Sequence, residues 1–163
     1  MTYLLVLAFG LVFGMPAFSP PAHAQSERVT HVVSTPFQEV VATLQRAVTE
    51  QKMALVCEAD AQKGAAARGV QIRGNRVLMV FRNDLAVRLL AADPAAGFEA
   101  PIRIYVHENP DGTTTVSYRT PSAVLAPYGH AEVRAVAAVL DPIVKAIVEA
   151  ALVTGSASPD PRK

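Results

Sequence analysis

The stretch that most constrains how this chain can fold is Pro101 to Thr120, P-I-R-I-Y-V-H-E-N-P-D-G-T-T-T-V-S-Y-R-T. Ile102, Ile104 and Val106 alternate with Arg103, Tyr105 and His107; after the bend, Thr114, Val116 and Tyr118 alternate with Thr115, Ser117 and Arg119. A period of two on both sides of a turn predicts a β-hairpin. The turn is Asn109-Pro110-Asp111-Gly112. Proline presets φ at the first corner and glycine can take φ > 0 at the last, which suits a three-residue loop with a bulge. That loop pairs Asn109 with Thr113, Val106 with Val116 and Ile104 with Tyr118. One face is then Ile102, Ile104, Val106, Val116 and Tyr118, and it needs a helical cover. The other carries Arg103, Tyr105, His107, Ser117 and Arg119 and must meet water, a ligand or a partner.

The chain opens with an apolar run from Leu4 to Phe13, followed by prolines and Ala22-His23-Ala24. Ala-x-Ala after a helix-breaking cluster predicts a signal peptide, residues 1–24, and hence a periplasmic or secreted protein. The run is short for a membrane span, which needs about 20 residues. No Lys or Arg precedes Arg28, so an uncleaved amino-terminal anchor is the alternative, and the membrane is a partner only if that segment is retained. The amino terminus found by mass spectrometry on the exported protein decides between them. The absence of a cysteine after the run excludes a lipoprotein.

Residues 25–153 make one domain, and 154–163, with Gly, Ser and two prolines, read as a disordered tail. Segment 1–24 holds no charged side chain, so the net charge of +1 belongs to the remainder. A balance that close to zero argues against nucleic acid, whose phosphates reward strongly basic faces. Cys57, the sole cysteine, reads as a small buried thiol.

Further along, Arg28 to Ser34 is a first strand. Thr35-Pro36-Phe37-Gln38 opens a helix to about Lys52, with Thr35 as cap and Gln38 closing a capping box. Met53 to Glu58 is a second strand. Ala59 to Asn75, with Gly64, Gly69 and Gly74 among basic residues, reads as a long mobile loop; its glycine spacing matches no phosphate-binding motif. Val77 to Phe81 is apolar at every position, which predicts a central strand covered on both faces, by a homodimer partner or an apolar ligand pocket on the side away from the helices. Asn83 is placed to cap a short helix, Asp84 to Ala92. Pro121 to Tyr128 is a proline-bounded connection. From His130 a long helix buries Val133, Val136, Ala137, Leu140, Val144, Ile147 and Val148, with a kink, or a new first turn capped by Asp141, at Pro142. The expected fold is α+β: a two-layer sandwich of a mostly antiparallel sheet with helices on one face.

Phe81-Arg82-Asn83-Asp84-Leu85-Ala86, Ala92-Asp93-Pro94-Ala95-Ala96-Gly97-Phe98-Glu99-Ala100-Pro101, Val106-His107-Glu108-Asn109-Pro110-Asp111-Gly112, Val116-Ser117-Tyr118-Arg119-Thr120-Pro121 and Tyr128-Gly129-His130 occur in this order. Together they resemble the bacterial family known as domain of unknown function 302, over about Pro36 to Leu152. The resemblance implies a TATA-binding-protein-like β-α-β-β-β-β-α arrangement with a short inserted helix, compatible with a dimer, and brings no established chemistry. Where the family pattern resembles F-G-N-P, this chain has Phe81-Arg82-Asn83-Asp84. Where some members look to carry paired cysteines, it has Arg82 and Ile102, which counts against thiol redox or metal chemistry.

The candidate ligand-binding residues are Arg82, Asn83, Arg103, His107, Arg119 and His130. Arg103 and Arg119 fall opposite each other, and like charges across a pair call for screening water, an acidic neighbour or a bound anion. Asn83 and His130 sit at helix starts, where capping is the plain explanation. The histidines are not spaced as a zinc pair, and no catalytic signature or cofactor motif is present. The function expected is a noncatalytic exported module that binds a small anionic ligand or a protein and acts as a homodimer. The alternative is an enzyme on a small anionic substrate, with Asn83, Arg103, His107 and His130 in one pocket.

Overall fold

The computed structural model describes residues 28–153; the signal peptide expected over 1–24 and the disordered tail expected over 154–163 lie outside the described residues. Five strands, β1 (Arg28–Val33), β2 (Ala54–Asp60), β3 (Asn75–Phe81), β4 (Ile102–Glu108) and β5 (Thr114–Arg119), form one antiparallel sheet in the order β1-β5-β4-β3-β2. The hairpin has the expected register: Ile104 faces Tyr118, Val106 faces Val116, and the Asn109 N–H donates to the Thr113 carbonyl at 2.8 Å. Gly112, at φ 84°, supplies the left-handed corner. The Asp111 carboxylate accepts from the Thr113 N–H and hydroxyl; these bonds hold it below the usual carboxylate range.

Two helices cover one face. The apolar stripe of α1 (Phe37–Glu50) and that of α5 (Ala131–Val153) close over Leu78, Val80, Ile104, Val106, Val116 and Tyr118, all buried. The α5 stripe is the one expected, from Val133 to Val148, and it extends to Ala151. Pro142 does not open a new helix: α5 runs through it, and Ala138 and Pro142 both lie on the exposed side, so the carbonyl left without a helical donor meets solvent. Asp141 caps a different element, its carboxylate accepting from the N–H and hydroxyl of Ser122 in the first turn of α4 (Pro121–Leu125), a helix where a plain connection was expected.

Other expectations are corrected. Thr35 does not cap α1; its carbonyl accepts from the Thr114 hydroxyl at 2.8 Å, which ties the helix start to β5. Asn83 is the first residue of α3 (Asn83–Ala92), which has no side-chain cap. The segment after β2 is not a long loop. Strand β2 runs on to Asp60, whose carboxylate accepts from the Lys63 N–H at 2.8 Å and starts α2 (Ala61–Ala66). Arg76, expected in that loop's basic run, lies in β3, paired with Glu58 at 3.1 Å and Asp60 at 2.8 Å across β2 and stacked on Phe37 at 5.6 Å. Glu58 also accepts from Gln45 of α1 at 2.6 Å. Gly74, just before β3, packs so tightly under the Phe37 ring that a Cβ there would overlap it.

Strand β2 carries a bulge between Leu55 and Cys57. The extra residue inverts the alternation beyond it, so Cys57 faces Met79 on the open side and is exposed, not buried. Val77 to Phe81 is covered on one side only: Leu78 and Val80 are buried beneath the helices, while Val77, Met79 and Phe81 are half-buried on the open side.

Helix α1 ends in paired bonds, Lys52 N–H to the Thr49 carbonyl at 3.0 Å and Met53 N–H to the Val48 carbonyl at 2.9 Å, with Lys52 left-handed at φ 56°. This is a Schellman ending with a side chain where glycine is favoured. Lys52→Gly is expected to stabilise the fold by about 1 kcal/mol in urea unfolding, since the left-handed cost of an L-residue is removed; an unchanged or lower midpoint refutes this.

Candidate functional site

The open face of the sheet follows from the register as cross-strand rows. Arg28 of β1 lies opposite Arg119 of β5, and one step beyond the Ile104–Tyr118 pair Arg103 of β4 stands on the other side of Arg119. The same row continues through Met79 of β3 to Cys57 of β2. The next row is Thr30, Ser117, Tyr105, Val77 and Ala59. The face is thus cationic and polar over β1, β5 and β4, and apolar or small over β3 and β2.

Neighbouring strands lie about 4.8 Å apart, so the three guanidinium stems span roughly 10 Å. All three arginines are exposed, and none has an ion-pair partner among the described residues. They border a cleft of about 450 Å³ that also takes in Glu99, Tyr105 and Ser117. Ser117 is buried at its floor, its hydroxyl 3.1 Å from that of Thr30. Glu99 accepts from the Tyr128 hydroxyl at 3.4 Å; burial first, and the Glu99 charge second, raise that phenol above its ordinary value, so it stays a donor.

Of the six residues singled out from the sequence, Arg103 and Arg119 meet in this cleft and four do not line it. His107 lies on the same face of β4, stacked on Tyr105 with ring centroids 5.2 Å apart and its Nδ1 buried without a partner. Arg82 forms a two-pronged pair with Asp84, both contacts 2.9 Å. Asn83 is exposed at the start of α3, and His130 accepts the Glu132 N–H at 3.2 Å through Nδ1, a cap for α5. Asn83, Arg103, His107 and His130 therefore do not share a pocket. Arg28 was not singled out. Its signal was the strand at Arg28 to Ser34, which needed only a partner assignment to β5.

A second space, about 40 Å³ and almost wholly apolar, lies at the same end of the molecule between the sheet, α3, α4 and α5, with Leu85, Ala86, Leu89 and Leu140 in its wall. It shares Glu99, Ile102 and Val124 with the cationic cleft. Among the described residues no group of His, Cys, Asp or Glu could hold a metal, and no helix is long and apolar enough to cross a membrane.

Residues 29–151 match the family described as domain of unknown function DUF302. The chain belongs to the DUF302 family. A crystal structure of an uncharacterized conserved DUF302 protein from Bacillus stearothermophilus is similar in fold, with a TM-score of 0.67 at 18% identity, covering 76% of this chain and 97% of that one. No curated protein matches. The DUF302 fold here keeps the β-α-β-β-β-β-α order, with α2, α3, the 3-10 turn Pro94–Glu99 and α4 inserted.

Like charges directly across a strand pair destabilise by a few tenths of a kcal/mol, and salt screens exposed ones. Arg119 has such a neighbour on each side. Arg119→Gln is expected to raise stability by about 0.5 kcal/mol in low-salt, non-coordinating buffer, with the gain disappearing at about 0.5 M NaCl. A variant less stable than the parent at low salt would show that the arginines do not repel.

Proposed function

We propose that this DUF302 protein is a noncatalytic, exported module that binds a small anion in the cleft across β1, β5 and β4. The observation that carries the proposal is the row Arg28, Arg119, Arg103, three guanidinium groups abreast with no acidic partner among the described residues. Arginine forks bind carboxylate and phosphate oxygens two at a time, and a bound anion would remove the repulsion within the row. The cleft volume falls within the range of small-molecule sites, about 300–1,000 Å³. Asn83, His107 and His130 lie outside its lining, which favours binding over catalysis. Export rests on the apolar run Leu4 to Phe13 followed by Ala22-His23-Ala24.

Inorganic phosphate is expected to raise the melting temperature of the domain, by about 10 °C at a hundred times its Kd. Arg119→Ala should abolish the shift while an Arg88→Ala control keeps it. A shift of equal size in both variants, or none in the parent, overturns the proposal.

The other half of the open face supports a second reading, self-association. Val77, Met79 and Phe81 are only half-buried, beside Ala54, Cys57 and Ala59 without a helix above them, and an apolar strip of this kind is what a two-fold interface covers. Light scattering on the domain is expected to give a dimer that Met79→Asp converts to monomer. A monomeric parent at about 100 μM rules it out.

A further inference from the structure

The geometry points to the class of ligand: a doubly charged anion, such as a phosphate monoester, carrying a short apolar chain, with its head on the arginine row and its chain in the apolar space behind Ile102 and Val124. This rests on the anion-binding proposal above and goes beyond it in stating what the anion is attached to.

Three arginines against the single carboxylate of Glu99 leave two net positive charges at the cleft, which match a dianionic head better than a carboxylate. The head also finds the Ser117 hydroxyl and the Tyr105 ring at the floor. Behind them the wall changes character. Ile102 starts β4 on the helix-facing side, next to Arg103 on the open side, so one strand end presents a cation outward and an apolar side chain inward. Val124 of α4 completes that wall, and both residues line the two spaces at once. The surface of the inner space is almost wholly apolar, although Arg82 and Glu99 are among its lining residues, and such a surface accepts hydrocarbon more readily than water. At about 40 Å³ it has room for about three or four carbon atoms and no long chain.

Each methylene moved from water into such a space strengthens binding about fourfold. Calorimetric titration with inorganic, methyl, butyl and hexyl phosphate is the test. Butyl phosphate is expected to bind on the order of fifty-fold more tightly than methyl phosphate, and hexyl phosphate no more tightly than butyl. Ala86→Leu fills the inner space from α3, and Leu140→Phe fills it from α5, and neither residue lines the cationic cleft. Either variant should erase the gain from chain length while inorganic phosphate binds as in the parent; if one of them does not fold, the other serves. If phosphate binds in an Arg119-dependent way but the methyl and butyl esters agree within twofold, or if both variants keep the chain-length gain, the inference about the chain is wrong and the anion site stands. If no phosphate binds at all, both are wrong.

Discussion

The Asn109–Gly112 turn is the constraint on which the rest of this molecule depends. It joins two strands whose side chains alternate with a period of two, so the register it imposes decides every face at once. With Asn109 bonded to Thr113, Ile104, Val106, Val116 and Tyr118 point to the helices and are buried, and Arg103 and Arg119 point away. A slip of one residue would put guanidinium groups beneath α5 and leave the core residues in water. Neither is tolerable at the cost of burying an unpaired charge. Hydrophobic burial on one face thereby aligns the arginines on the other, and Arg28 joins the row because β1 pairs with β5 in continuous register.

The helices make this arrangement one-sided. Both long helices lie on the same face, and the Thr35 carbonyl bond to the Thr114 hydroxyl pins the start of α1 to the hairpin. At the opposite edge the cluster of Gln45, Glu58, Asp60 and Arg76 joins α1 to β2 and β3. The Asp60 carboxyl is held below its ordinary value, chiefly by the Lys63 N–H and then by the Arg76 charge. Its contribution to stability is therefore complete above the unfolded carboxylate range, near pH 4, and is lost as the pH falls through the lower folded value. One edge of the sheet uses its arginine to close the structure. The other leaves three unpaired among the described residues.

How much of this was legible in the sequence depends on how local the determinant is. The hairpin, its register, the left-handed Gly112 and the stripe of α5 are written in contiguous residues, and each is found where the pattern puts it. The bulge in β2 is not, because Leu55 to Cys57 alternates like any strand and only pairing with β3 reveals the extra residue; that hid the exposure of Cys57. The caps were misread for a related reason. Asp141 has capping chemistry, but a partner distant in sequence, Ser122, takes it up, and Thr35 is held through its carbonyl by Thr114 while its hydroxyl stays buried without a partner. Of the cationic site, the hairpin supplied two members by arithmetic. Arg28 comes from a strand that is 91 residues away from Arg119 in the chain, and no short-range pattern contains that pairing.

That separation also bears on what the site does to the fold. β1 is an edge strand with β5 as its one neighbour in the sheet, and it begins at the residue that repels Arg119. Edge strands open first, because fewer ladder bonds and fewer buried contacts hold them. Repulsion between Arg28 and Arg119 acts at the very end of that strand and favours its fraying, whereas an anion shared by the two arginines, as proposed above, would join the strand to the hairpin at the same point. Binding and closure of the edge would then be one event: the part of the sheet that the turn cannot reach through the chain would be held by the charge the row attracts.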